Sequence, residues 1–164
     1  MQPILHSFAY SLDYLREQIA DVPDGQLTAQ PDGVPNHAAW TIGHLVFIAH
    51  EIGGVIGIEP WLGDEWTRQV GPGSKPLPPG DEPISRDTLL AALQTAQAKL
   101  TTAIKALKDS ELDATIPDPA YTDVFPTVRH ALTQVLLGHT AFHIGQIAVW
   151  RRALGLPPML RSYE

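Results

Sequence analysis

The sequence predicts an all-α fold: a four-helix bundle whose helices are joined by long crossover connections. Three observations carry this expectation. Four segments place apolar residues at the three-and-four spacing of an amphipathic helix, and no segment reads as a strand. The connections between them, rich in Gly and Pro, are longer than the ~2–8 residues that usually join antiparallel neighbours, so at least one crosses the bundle. A chain of 164 residues is long enough to bury a full core, and it reads as a single domain over residues 1–164.

The first helix is expected from about Pro3 to Ala20. Pro3 suits a first helical turn, Ile4, Phe8, Leu12, Leu15 and Ile19 form one stripe, and Pro23-Asp24-Gly25 ends it. Residues 22–35 read as a loop. Asn36 offers an N-cap for a second helix, roughly His37 to Ile52, that closes near Gly53-Gly54. Its stripe is Trp40, His44, Phe47, Ile48 and Glu51, with a histidine in the middle of the inward face.

Residues 53–84 are dense in Gly and Pro, including Pro78, Pro79, Gly80 and Pro83, and hold Trp61 and Trp66. They read as a connection packed in part against the bundle. Ser85 caps a third helix running to about Lys108, with Leu89, Leu93, Leu100, Ile104 and Leu107 on one face. A further connection spans 109–125. Pro126 opens the fourth helix, whose stripe is Val128, Leu132, Val135, His139, His143, Gln146 and Trp150, and Gly155 with Pro157-Pro158 stops it.

Composition narrows the function classes. The formal net charge is −7, which argues against nucleic acid, because such binding rests on Lys and Arg neutralising phosphates. No basic run suited to anionic lipid is present, and no segment reaches the ~18 consecutive apolar residues of a membrane span. The N-terminal residues lack a basic, then apolar, leader pattern, so the expected compartment is the cytoplasm. There are no cysteines. Disulfides, thiolate ligands and a protein thiol nucleophile are thereby removed together, and any thiol chemistry needs a thiol carried in by a ligand.

The residues that call for a chemical reason are the histidines on inward stripes. His139 and His143 lie one helical turn apart, where both imidazoles can reach one divalent ion. A pair alone makes a weak, open site. His44, facing the core from the middle of the second helix, is the candidate third ligand. Three neutral imidazoles with one position left open is the arrangement of a catalytic zinc site, although nickel, copper and iron also suit imidazole. A set of core histidines without metal is the competing reading. Thr140 follows His139, so the zinc-protease pattern HExxH fails at its glutamate.

His6, His37, His50 and His130 lie off these stripes or at a helix start and are set aside as ligands. Gln146 is placed to hydrogen-bond a ligated imidazole or a substrate, or to be satisfied within the core. Trp40, Phe47 and Trp150 share the same stripes and could wall a pocket, core packing being the competing role. Gly145 costs helix stability and is expected to mark the close approach of a helix or ligand.

Trp40-Thr41-Ile42-Gly43-His44-Leu45 resembles the W-x-x-G-H-L helix of the DinB-like (DinB/YfiT) superfamily. His139-x-x-x-His143-x-Gly145-Gln146 resembles that family's H-x-x-x-H-x-G-Q helix, and the following 151–158 segment and the helix order fit as well. The resemblance covers most of the chain. It implies a crossover four-helix bundle, often a homodimer, with a divalent metal ion, commonly zinc or nickel, held by residues matching His44, His139 and His143. It further implies a metal-dependent enzyme acting on a small-molecule substrate, of the kind that uses a low-molecular-weight thiol such as bacillithiol or mycothiol for S-transfer. A non-catalytic metal-binding or stress-response bundle is the alternative within the same family.

Overall fold

Helix α1 (Gln2–Ala20) carries a proline in its first turn and buries Leu5, Phe8, Leu12, Leu15 and Ile19, while Ile4 is only partly covered. These side chains repeat along one face at helical spacing, and each such burial stabilises by about 1.5–3 kcal/mol. The description rests on a computed structural model covering residues 1–76, 85–116 and 118–159. Pro78, Pro79, Gly80 and Pro83 of the expected long connection lie outside the described residues.

Helix α2 (Ala38–Val55) is nearly apolar all round and sits at the centre of the protein, burying Trp40, Ile42, His44, Leu45, Val46, Phe47 and Ile52 among others. Its N-cap is His37 rather than Asn36: the His37 Nδ1 accepts from the Trp40 N–H at 3.0 Å. A lone pair on the imidazole takes the place of a capping side-chain oxygen. The expected connection 53–84 is more structured than its glycines and prolines suggest, because it contains helix α3 (Asp64–Val70). Trp66 and Val70 are the buried residues of α3, and they dock it on α2.

Helix α4 (Arg86–Ala106) begins where expected, with the Ser85 hydroxyl accepting from the Thr88 N–H, and buries Leu89, Leu93, Ala96, Leu100 and Ile104. The 109–125 segment holds two one-turn helices, α5 (Asp109–Leu112) and α6 (Pro119–Thr122). The expected fourth helix comes as three consecutive pieces: α7 (Val128–Thr133), a π-helical turn (Gln134–His139) and α8 (Thr140–Ala153). Gly155, at φ 77°, then turns the chain out of the helix, as its position in the sequence predicts.

The principal contacts run α1–α4, α4–α2, α2–α8 and α8–α1, closing a ring in which α1 lies opposite α2 and α4 opposite α8. Successive long helices α1 and α2, and then α4 and α8, therefore sit on diagonals. That is why the connections are long: 21–37 and 107–127 must each cross an end of the bundle. The described residues contain no strand. None of the described helices is long and apolar enough to cross a membrane.

One ion pair, buried on its arginine side, ties the last turn of α8 to the end of α1. Arg151 is 1% exposed, and its Nη1 and Nη2 donate to the two carboxylate oxygens of Asp21 at 2.6 and 3.1 Å. The same guanidinium donates to the carbonyls of Gln18 and, at 3.0 Å, Pro157. The hydrogen bond from Arg151 holds the Asp21 carboxyl below the usual carboxylate range.

Candidate metal centre

The diagonal arrangement brings α2 against α8 and so sets His44 opposite the His139–His143 pair. Ring centroids are 5.3 Å apart for His44 and His139, 4.9 Å for His44 and His143, and 4.4 Å for His139 and His143. One nitrogen from each ring lies within 4.8 Å of the others, and the three residues together could hold a metal ion. His44 and His143 are buried and His139 is half-buried.

The hydrogen bonds decide which nitrogens are free. His44 Nδ1 is 2.7 Å from the Val70 carbonyl oxygen, which can only accept, so this nitrogen carries the proton and donates. His143 Nδ1 likewise donates to Gln146 Oε1 at 2.8 Å. In both rings Nε2 is left with its lone pair directed at the cluster. His143 Nε2 stands 3.1 Å from His139 Nε2. Two nitrogens bound to one ion at ~2.0–2.1 Å would be about 2.9 Å apart at an octahedral edge and about 3.3 Å apart at a tetrahedral one. The observed spacing falls between, so the His139–His143 pair fits a divalent ion, and His44 offers a third nitrogen within 4.8 Å of both. His139 Nδ1 is buried with no hydrogen-bond partner among the described residues.

Electrostatics prepares the same atoms. Burial pushes the His44 imidazole below its ordinary range, partly offset by the Val70 carbonyl. For His143 burial again dominates, opposed by the Gln146 hydrogen bond and assisted by the nearby His44. His139 falls furthest, to about 4, through burial and then repulsion from His143 and His44. At neutral pH all three are therefore uncharged, the state in which imidazole binds a metal ion.

The local sequence explains much of this placement. His139 ends the π-helical turn, where the Thr140 N–H reaches the Val135 carbonyl five residues back and the Thr140 hydroxyl donates to the same oxygen at 2.9 Å. Such widened turns recur at functional sites. Leu136 and Thr140 are deeply buried while Val135 and His139 stay partly exposed, so the turn sets His139 at the rim of the core.

The other expected pocket residues separate into two groups. Trp40 stacks on His44, centroids 4.8 Å apart and planes 8° apart, and Gln146 holds His143 as described. Phe47 and Trp150 are core residues: Trp150 is fully buried, with its indole N–H donating to the Ala29 carbonyl at 2.7 Å. The histidines set aside lie elsewhere. His50 meets the Trp61 ring edge-on, His130 bonds Thr127, and His6 is exposed.

At Gly145 the expected approach of a helix is corrected. The glycine is exposed and a Cβ there would meet nothing, so no helix approaches it. A close approach beside the site occurs instead at Gly43, where a Cβ would fall 2.8 Å from Val70 Cγ1. Two participants escape a reading of periodicity: the backbone of Val70, which offers no side-chain signal, and Phe142, whose ring lies edge-on to His143 at 5.2 Å. Gly43, next to His44, was the available clue to the first.

A helical bundle with three converging imidazoles defines a class of protein, and the chain can be placed more closely. The family model of the DinB superfamily matches residues 7–147, a span that includes His44, His139, His143 and Gln146. The chain belongs to the DinB superfamily. A search of curated proteins finds no match to it.

Proposed function

We propose that His44, His139 and His143 bind one divalent metal ion, zinc first and nickel second, and that the protein is a metal-dependent enzyme that transfers a small thiol to an electrophilic substrate. The observation that carries this reading is the convergence of three uncharged imidazoles, two of them with Nδ1 already committed to an acceptor. A divalent ion there would supply stabilisation of a thiolate at neutral pH. The chain has no cysteine, so the sulfur must belong to a cosubstrate. In the overall reaction its S–H proton is lost to solvent, sulfur forms a bond to carbon, and the leaving group departs with the electrons of the bond that breaks. Trp40 and Phe142, set against His44 and His143, would shield the site from water and offer aromatic surface to the substrate.

Metal analysis of untagged protein purified without chelator or nickel resin tests the first half. About one divalent ion per chain is expected, and anomalous scattering at the three imidazoles would identify it. Absence of stoichiometric metal, with no change in zinc affinity on His139→Ala, overturns the site. Turnover of an electrophile by the metal-loaded protein with a panel of small thiols tests the second half. Silence across the panel leaves a metal-binding bundle protein without this catalysis. The same reading makes the protein a cytoplasmic homodimer, and light scattering that returns a monomer mass overturns the dimer.

A further inference from the structure

Helix α3 touches the centre through backbone and packing rather than through a ligand. Val70, its last residue, is 4% exposed and places its carbonyl 2.7 Å from His44 Nδ1. Just beyond α3, the Ser74 hydroxyl accepts the Trp40 indole N–H at 2.9 Å and donates to the Gln69 carbonyl at 3.1 Å. Trp40 in turn lies flat on His44. Both outer faces of the His44 ring environment, its Nδ1 edge and its stacked face, are thus set by one short segment, residues 69–74.

Gly43 is what lets this segment sit so close. All three of the nearest atoms to a Cβ at that position belong to Val70: Cγ1 at 2.8 Å, Cβ at 3.4 Å and Cγ2 at 3.5 Å. Of the three staggered rotamers of Val70 only the one that turns its Cβ hydrogen toward position 43 clears the contact, and because Val70 is 4% exposed the methyl swung away must displace other packed atoms. A methyl group at position 43 therefore disturbs the seating of Val70, whose carbonyl holds His44.

We propose that α3 is a positioning element for the metal centre, in which Gly43 seats Val70 so that the Val70 carbonyl fixes His44 with Nδ1 protonated and Nε2 turned to the ion. The proposal rests on the metal-binding reading above, but the state of the His44 ring can be measured without metal. Outer partners of this kind typically account for 10–100-fold in metal affinity. No side chain supplies this one, so a side-chain search for such partners passes over it.

The test is a double-mutant cycle on Gly43→Ala and Val70→Ala, measured by zinc titration and, on zinc-free protein above the imidazole range, by proton–nitrogen NMR of the His44 ring. Gly43→Ala should weaken zinc binding about 10-fold or more and shift His44 away from a single Nδ1–H tautomer. Since alanine is the better helix former, α2 itself should not weaken. Adding Val70→Ala removes both methyls from the contact, and the double variant should return to within about 3-fold of Val70→Ala alone, the departure from additivity that directly touching residues show.

A Gly43→Ala protein with wild-type zinc affinity and an unchanged His44 ring overturns the proposal, as does a double variant no tighter than Gly43→Ala. Wild-type protein that binds no zinc sinks the metal-centre reading, while the ring signals still decide the positioning role. If Gly43→Ala does not fold, Ser74→Ala takes its place. It frees the Trp40 indole and should shift the same ring signals in the same direction, with a smaller loss of affinity. No shift in those signals overturns the proposal.

Discussion

Helix α8 carries His143 and, about two turns on, Arg151, and the polar clusters around them behave in opposite ways. At Arg151 the charge is largely spent: Nη1 and Nη2 donate to Asp21 and to two backbone carbonyls, joining α8 to α1, while Nε is buried without a partner among the described residues. At His139 and His143 the outward nitrogen of one ring is tied down, and the inward nitrogens face each other and His44. A buried charge that is paired within the protein holds the fold together. Lone pairs turned toward a common point, with no protein donor to receive them all, are prepared for something from outside.

The strongest way to break this distinction is at Arg151. Arg151→Ala removes a buried guanidinium, several charge-assisted hydrogen bonds and the stem packed around it. It should cost about 3 kcal/mol of unfolding free energy, less than a fully buried pair could cost because the Asp21 carboxylate is half exposed and can be rehydrated. Chemical denaturation of the metal-free protein measures this. The zinc affinity of the folded fraction should stay within about 3-fold of wild type. A large loss of affinity would mean that the two clusters are one unit.

His143→Ala should do the reverse. Removing one of three ligands should weaken zinc binding at least about 100-fold, about 2.7 kcal/mol. The metal-free protein should keep most of its stability, because the deletion removes only two side-chain hydrogen bonds, to Gln146 and to His139, both at partly exposed residues. Isothermal titration and denaturation of the same preparation give both numbers. If His143→Ala destabilises the metal-free fold as much as Arg151→Ala does, the imidazoles are ordinary core residues.

Acid separates the clusters by pH window. The folded-state pKa values of His44, His139 and His143 lie below the ordinary value of 6.5, so below 6.5 the unfolded chain takes up more protons than the folded one. Their contribution is present above 6.5 and is lost as pH falls toward about 4, the value to which His139 is lowered. Asp21 is depressed below 3.8, so its contribution holds above 3.8 and is lost only beneath it. Metal-free wild type should lose stability in two steps on acidification. His139→Ala should diminish the upper step, and Arg151→Ala the lower. One featureless decline, unaltered by either substitution, would contradict the assignment.

These clusters also show how much a sequence can disclose. Apolar spacing locates the four long helices, because each must bury one face, and the pairing of His139 with His143 follows from a single turn of helix. The role of Arg151 is not legible in this way, since its partner Asp21 is 130 positions away and nothing local announces it. Helix α3 lies among glycines and prolines that read as loop. Its seven residues are too few to show a period, and Trp66 and Val70 dock it through contacts that exist only after α2 is in place. The π turn leaves no mark on the apolar pattern beyond moving burial from Val135 to Leu136. No helix approaches Gly145: helix cost alone does not tell an approached glycine from one facing open space, whereas Gly43 has Val70 against it.

The finest test asks whether the three imidazoles are held with equal care. His44 is held by a backbone carbonyl, His143 by Gln146, and His139 Nδ1 by no described partner. Gln146→Ala removes an acceptor that fixes the tautomer of His143 while leaving all three ligands present. It should lower zinc affinity about 10-fold, at the small end for such partners, because an exposed stretch of α8 around Gly145 lets water replace the amide oxygen. Gln146→Glu should recover or exceed the wild-type affinity, since a carboxylate accepts the same proton more strongly and raises the basicity of the ring. Equal affinity in all three proteins would make Gln146 a core amide, and the difference between the clusters of α8 would then rest on the imidazoles alone.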